Sequence, residues 1–153
     1  MKKIIPFLCL FLLSTLFISC SKDDDDINTN IIEHSASGTL TFKINNEEHA
    51  YSSLKVIEKR YADYTDLIVK GTHTNDTTKT ISISLAKDDL GSQSIYYIQY
   101  VNNETFYQMT INDMTTDITE SNASKITGTF SGQLSTINMD TLLVSEGLLN
   151  ISY

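Results

Sequence analysis

Cysteine, proline and basic charge are all scarce in this chain, and each shortage excludes something. Its only cysteines, Cys9 and Cys20, fall within the first 20 residues. No disulfide can therefore staple the remainder, and its stability must come from a packed core. Its one proline, Pro6, also lies in that leading stretch. Lysine and arginine number 11 against 19 aspartates and glutamates, for a formal net charge of −8. Phosphate backbones repel such a protein, so no nucleic-acid partner is expected. Anionic lipid headgroups repel it too. The longest apolar run, Ile4 to Ile18, is shorter than the roughly 20 residues a spanning helix needs.

Reaction motifs are missing as well. The histidines are His34, His49 and His73, with no His-x-His or His-Glu-x-x-His spacing. No metal and no cofactor are therefore expected. There is no Gly-x-Ser-x-Gly elbow for a serine hydrolase. Glycoside hydrolysis needs two carboxyls about 5 to 9.5 Å apart across a cleft, and a small domain with short loops offers little cleft. The expectation is a protein that is not an enzyme.

What is present begins with an address. Lys2 and Lys3 precede the apolar run, and Ser19, Cys20, Ser21, Lys22, Asp23, Asp24, Asp25 and Asp26 follow it. That order is a secretory signal peptide ending at a cysteine. Phe17-Ile18-Ser19-Cys20 resembles a bacterial lipobox, with small Ser19 before the cleaved bond and Phe17 where leucine is usual. The resemblance implies a lipoprotein cut before Cys20, which then carries acyl chains such as palmitate. One chain anchors weakly, at about 0.8 kcal/mol per buried CH₂, so several are required. Losing residues 1–19 leaves 134 residues and takes the net charge from −8 to −10.

The run Ser21 to Asp26 reads first as an acidic tether, extended by its own repulsion. It also resembles the export signal of Bacteroidetes lipoproteins displayed on the outer face of the outer membrane, which implies a cell-surface position. Calcium capture is not expected, because no Gly-containing loop or later Glu completes the pattern. The expected organisation is a signal over 1–19, a lipidated flexible tether over 20–36 that includes His34, and one β domain over 37–153.

Abundant Thr, Ile and Tyr favour strands. Leu40, Phe42 and Ile44 alternate with polar residues, Asn45-Asn46 suits a tight turn, and His49, Tyr51 and Ser53 return. Leu54 to Ala62 fits helix or strand spacing and is assigned to a strand. Strands follow at Asp66 to Thr72, Thr80 to Leu85, Ile95 to Val101 and Phe106 to Ile111. Asn112 to Ser124 is polar and reads as a short strand or irregular loop. Ile126 to Gly132, Leu142 to Val144 and Leu148 to Tyr153 complete the chain, with Glu146-Gly147 as a turn. About nine short strands without a helix predict an all-β fold, an antiparallel β-sandwich or partly closed barrel.

Four segments carry a resemblance. They are Leu40-Thr41-Phe42-Lys43-Ile44-Asn45-Asn46-Glu47, Thr80-Ile81-Ser82-Ile83-Ser84-Leu85, Ile126-Thr127-Gly128-Thr129-Phe130-Ser131-Gly132 and Val144-Ser145-Glu146-Gly147-Leu148-Leu149. From about Leu40 to Tyr153 the chain resembles a family of uncharacterised small flavobacterial-type Bacteroidetes lipoproteins. That resemblance implies a secreted all-β domain and transfers no catalytic residue. The motifs themselves read as fold features: Gly128 for a bend or close approach, Phe130 as a core plug, Gly147 for positive φ in a turn.

Binding candidates are few. Tyr96, Tyr97, Tyr100, Phe106 and Tyr107 fall on two adjacent predicted strands, with Tyr96 and Tyr100 expected on one face and Tyr97 on the other. Cross-strand packing is the plain account; a platform for a glycan or small apolar ligand is the functional one, built on Tyr96, Tyr100 and Tyr107. Asp76-Thr77-Thr78 and Asp140-Thr141-Leu142 resemble the O-glycosylation site of Bacteroidetes secreted proteins, which would put sugar on Thr77 and Thr141 in predicted loops. The expectation is a surface-exposed outer-membrane lipoprotein, held by its N-terminal lipid, acting as a non-catalytic ligand-binding or accessory module. The alternative is a structural component acting through contacts with another envelope protein.

Overall fold

The computed structural model describes residues 30–153, apart from the side chains of residues 110–112. Cys20 and the run Ser21 to Asp26 lie outside the described residues. Ten strands follow one another: β1 Asn30–Ser35, β2 Ser37–Ile44, β3 Glu47–Arg60, β4 Thr65–His73, β5 Asp76–Ala86, β6 Gly91–Ser92, β7 Ile95–Asn102, β8 Thr105–Ser121, β9 Lys125–Ser135 and β10 Thr141–Ser152. Eight of them close into an antiparallel barrel. Each barrel strand pairs with the next in the chain, β10 pairs back onto β2, and β6 adds a short rung against β8. This up-and-down order makes every connection local, as the short turns in the sequence predict.

Alternation directs the apolar residues inward. Leu40, Val56, Leu67, Ile83, Ile126 and Ile151 are fully buried. The outward positions of β9 are Lys125, Thr127, Thr129, Ser131 and Gln133. Apolar inside and polar outside is the inverse of a barrel that faces lipid. An eight-stranded barrel is just wide enough for its own side chains to fill.

Bulges bend the strands so that the sheet can close. In β3 the register slips between Ser52 and Lys55, where Ser53 takes φ 50°. In β10 it slips between Val144 and Gly147, and Glu146 takes φ 51°. The expected Glu146-Gly147 turn is therefore a bulge inside one continuous strand, and Gly147 does not supply the positive φ. Gly147 lies opposite Phe130, and a Cβ there would come within 2.7 Å of the Phe130 ring. Glycine is required because the Phe130 carbonyl oxygen and the ring beside it occupy that space. At Gly128 the expected close approach is present: a Cβ would lie 2.5 Å from Ile118 Cδ1.

Several expectations are corrected. The strands are ten and not uniformly short, since β3 has 14 residues and β8 has 17. The polar stretch from Asn112 belongs largely to β8. The tether does not reach residue 36, because Asn30–Ser35 pairs with Lys55–Arg60 of β3. His34 accordingly sits in a strand. Thr77 and Thr141 are exposed at strand starts and not in loops.

Candidate functional site

The barrel has two unlike ends. At the near end Asn30 enters beside the β3–β4, β5–β7 and β8–β9 connections and Tyr153. At the far end lie the β2–β3, β4–β5, β7–β8 and β9–β10 connections.

Charge closes the near end. Glu58 follows Leu54 and Val56 on the inward face of β3 and is only 4% exposed. Its carboxylate accepts hydrogen bonds from Lys87 Nζ at 2.9 Å and Arg60 Nε at 3.1 Å, and His34 Nε2 stands 3.4 Å away. The Arg60 hydrogen bond, aided by Lys87, holds the Glu58 carboxyl down to about 2 against the opposing effect of burial. Tyr153 sits beside His34, their rings tilted 60° with centroids 5.3 Å apart, and donates its hydroxyl to Asn122 O at 2.6 Å. Burial, with Glu58 and Asp88 nearby, raises that hydroxyl to about 12.

Aromatic rings fill the far half. Phe42 stacks on Tyr51 with centroids 5.1 Å apart and on His49 at 6.0 Å, while His73 meets His49 at 5.2 Å. His49 Nδ1 and the Tyr51 hydroxyl are buried with no hydrogen-bond partner among the described residues. Burial, then His73 and Lys79, lowers the His49 pKa, and burial raises that of Tyr51. No group of three or more His, Cys, Asp or Glu that could hold a metal occurs among the described residues.

Above this core the far rim carries a groove of about 960 Å³. One wall is the start of β8, with Phe106 and Met109; the other is the loop Thr136–Asp140. The loop is fixed by its own hydrogen bonds. Thr136 Oγ1 accepts from the amides of Asn138 and Asp140, Thr136 N–H donates to Asp140 O, and Met139 N–H donates to Thr136 O. Met139 is held at φ 69°, a conformation unfavourable for a residue with an ordinary side chain. The loop thus presents Ile137, 96% exposed, and Met139, 81% exposed, to solvent. Phe106 adds a half-exposed ring. Isolated surface apolar residues need no explanation, but several around one groove mark a contact surface.

The aromatic platform expected from the sequence does not form. A register shift between Ser84 and Leu85 places a bulge at Tyr96. Tyr96 therefore faces solvent while Tyr100, only 1% exposed, points into the core. Tyr107 is half-buried and leans on Tyr100 at 6.0 Å. Burial raises the Tyr100 hydroxyl to about 12. Sequence reading missed Ile137, Met139 and Glu58. Two apolar residues inside the polar run Ser135 to Asp140 signal the first two. Glu58 in the inward phase of Leu54 and Val56 signals the third.

The class these features define is a small closed up-and-down barrel with an apolar rim groove. Comparison of the chain with protein-family models, curated proteins and solved structures found no match.

Proposed function

We propose that this protein is a lipid-anchored barrel displayed on the outer-membrane surface, which binds a ligand at its far rim and performs no reaction of its own. The address rests on the lipobox-like Phe17-Ile18-Ser19-Cys20 and the acidic run behind it, and with it the kinship to small Bacteroidetes lipoproteins. The binding reading is carried by one observation: a hydrogen-bonded loop holds Ile137 and Met139 out of the core beside Phe106. Apolar side chains on a braced loop cost solvation that a ligand would recover. The anchor would enter at the opposite end, leaving the groove facing outward. Thr77 and Thr141, both exposed near this rim, are the proposed attachment points for O-linked sugar.

Cys20→Ser is expected to abolish palmitate labelling, and continued labelling would remove the anchor. Alanine at Asp23, Asp24, Asp25 and Asp26 is expected to retain lipidated protein inside the envelope. Equal protease shaving of mutant and wild-type cells would reduce the run to a tether. For the groove, the neutral dye Nile red is expected to brighten with the wild type and not with Ile137→Ser/Met139→Ser.

One observation favours a structural role. Among the described residues β1 is the terminal strand of the sheet, paired only with β3, and its outer edge is open to another strand.

A further inference from the structure

We infer that the far groove takes an extended polypeptide segment, added as a strand to β8 and carrying a cationic residue beside a large apolar one. The inference rests on the binding reading above and names its ligand.

The register supplies the first argument. β8 pairs with β7 from Thr105, opposite Asn102, to Gln108, opposite Gln99. Its pairing with β9 begins only at Gln108, opposite Ser135. β9 stops there because Thr136 closes its loop onto Asp140. Thr105, Phe106 and Tyr107 are therefore strand-paired on one side only, and their other backbone edge borders the groove. An unpaired edge with a side-chain wall facing it is the geometry of strand addition. The backbone supplies affinity there, and alternate side chains supply selection.

The lining supplies the second. Its large side chains are Phe106, Met109, Ile137 and Met139, and its charged ones are Glu104 and Asp140. Both charges are acidic, and neither forms a salt bridge among the described residues. A partner strand that matches this surface brings lysine or arginine next to an apolar side chain. The chain's own acidic run, Asp23 to Asp26, has the wrong sign, and a second copy at net charge −8 repels the first. A neutral sugar would leave the β8 amides and both carboxylates without their best partners.

The test uses the full-length protein in detergent and fluorescent nonapeptides built on an alternating Thr-Val strand with a central Phe-Lys. Anisotropy is expected to show binding at least ten-fold tighter than for the Phe-Glu peptide, weakened by salt. Glu104→Gln/Asp140→Asn should erase that preference. Methylating the peptide amides that face β8 should abolish binding, whereas methylating the opposite set should not. Indifference to amide methylation, or equal binding of Phe-Lys and Phe-Glu, overturns the inference. If the peptides fail while Nile red or a neutral oligosaccharide binds and is lost in Ile137→Ser/Met139→Ser, the binding reading stands and the peptide inference falls. Concentration-dependent self-association through the groove overturns the peptide inference likewise. If no probe binds, both fall.

Discussion

The two ends of this barrel solve the same problem in opposite ways. Any closed barrel has two mouths where the strands stop and the core would meet water. The near mouth is sealed by a buried carboxylate whose cations come from β3 itself and from the β5–β7 connection, with Tyr153 as a lid. The far half is sealed by stacked rings, and its rim turns apolar side chains outward. The near end pairs its buried charge and leaves only the Thr127 hydroxyl unpartnered among the described residues, whereas the far half leaves His49 Nδ1 and the Tyr51 hydroxyl without partners. A mouth optimised for stability and a mouth that is not are what a tethered binding module would show. Under the proposed binding reading, stability and ligand contact fall to different ends of one fold.

The largest expected effect calibrates the comparison. Phe130 is 3% exposed, packs on Phe42 at 5.7 Å and covers Gly147. Phe130→Ala should cost about 3 to 5 kcal/mol of stability. Thermal or denaturant unfolding measures it, and a loss under about 1 kcal/mol would mean that the ring is not part of the core.

Glu58→Gln comes next. It leaves Lys87 and Arg60 without their counter-charge, at a cost of about 2 to 3 kcal/mol near pH 7, reduced from the fully buried case because both cations reach solvent. The pH profile separates charge from packing. The Glu58 carboxyl sits at about 2 in the folded protein against an ordinary 4.5. Its stabilisation is therefore complete above pH 4.5 and lost as pH falls from there towards 2. Unfolding midpoints of the wild type should drop across that window, and those of Glu58→Gln should drop less steeply there, because the paired carboxyls of Glu33, Asp76 and Glu120 remain. His49 adds an earlier loss. Its folded pKa lies below the ordinary 6.5, so the unfolded state takes up the proton first and stability declines as pH falls below 6.5. Acid should thus weaken the far half before the near end.

A smaller effect of opposite sign is expected from Tyr51→Phe. Deleting a buried hydroxyl that has no partner should be neutral or stabilising by up to about 1 kcal/mol. A loss of more than about 1 kcal/mol would mean that the hydroxyl is in fact bonded. Smallest of all, Ile137→Ser/Met139→Ser should change stability by under about 0.5 kcal/mol. That near-silence makes it the clean probe of ligand contact.

Much of the fold was legible locally. Leu40-Phe42-Ile44 and Ile81-Ile83-Leu85 alternate without interruption, and both are strands with those residues inside. β8 was not legible, because its register breaks twice, between Met109 and Met114 and between Ile118 and Glu120. The first break adds three residues to β8 and the second adds one, and each odd offset flips the buried face and erases the period-two signal. β1 was hidden for another reason: most of its residues stay exposed, so it has no apolar pattern to show. A slip of the same kind explains Tyr96, since a bulge seen only in the pairing with β5 sends it to the opposite face from Tyr100.

Composition and local period alone determined that this chain is all-β, lacks a disulfide in its folded part and carries net negative charge. Those properties reside in residue identity and nearest-neighbour spacing. Closure was decided elsewhere. Whether a twisted sheet ends as a sandwich or meets itself depends on summed twist and on bulges at Ser53 and Glu146, and on the β3–β4 pairing that joins the two edges. The Glu58 ion cluster is a product of tertiary pairing, and the groove between Phe106 and Ile137 follows from β8 running on past the end of β9. Both unite residues far apart in the chain, and no local pattern encodes a contact that depends on how far one strand outruns its neighbour or on which strands pair.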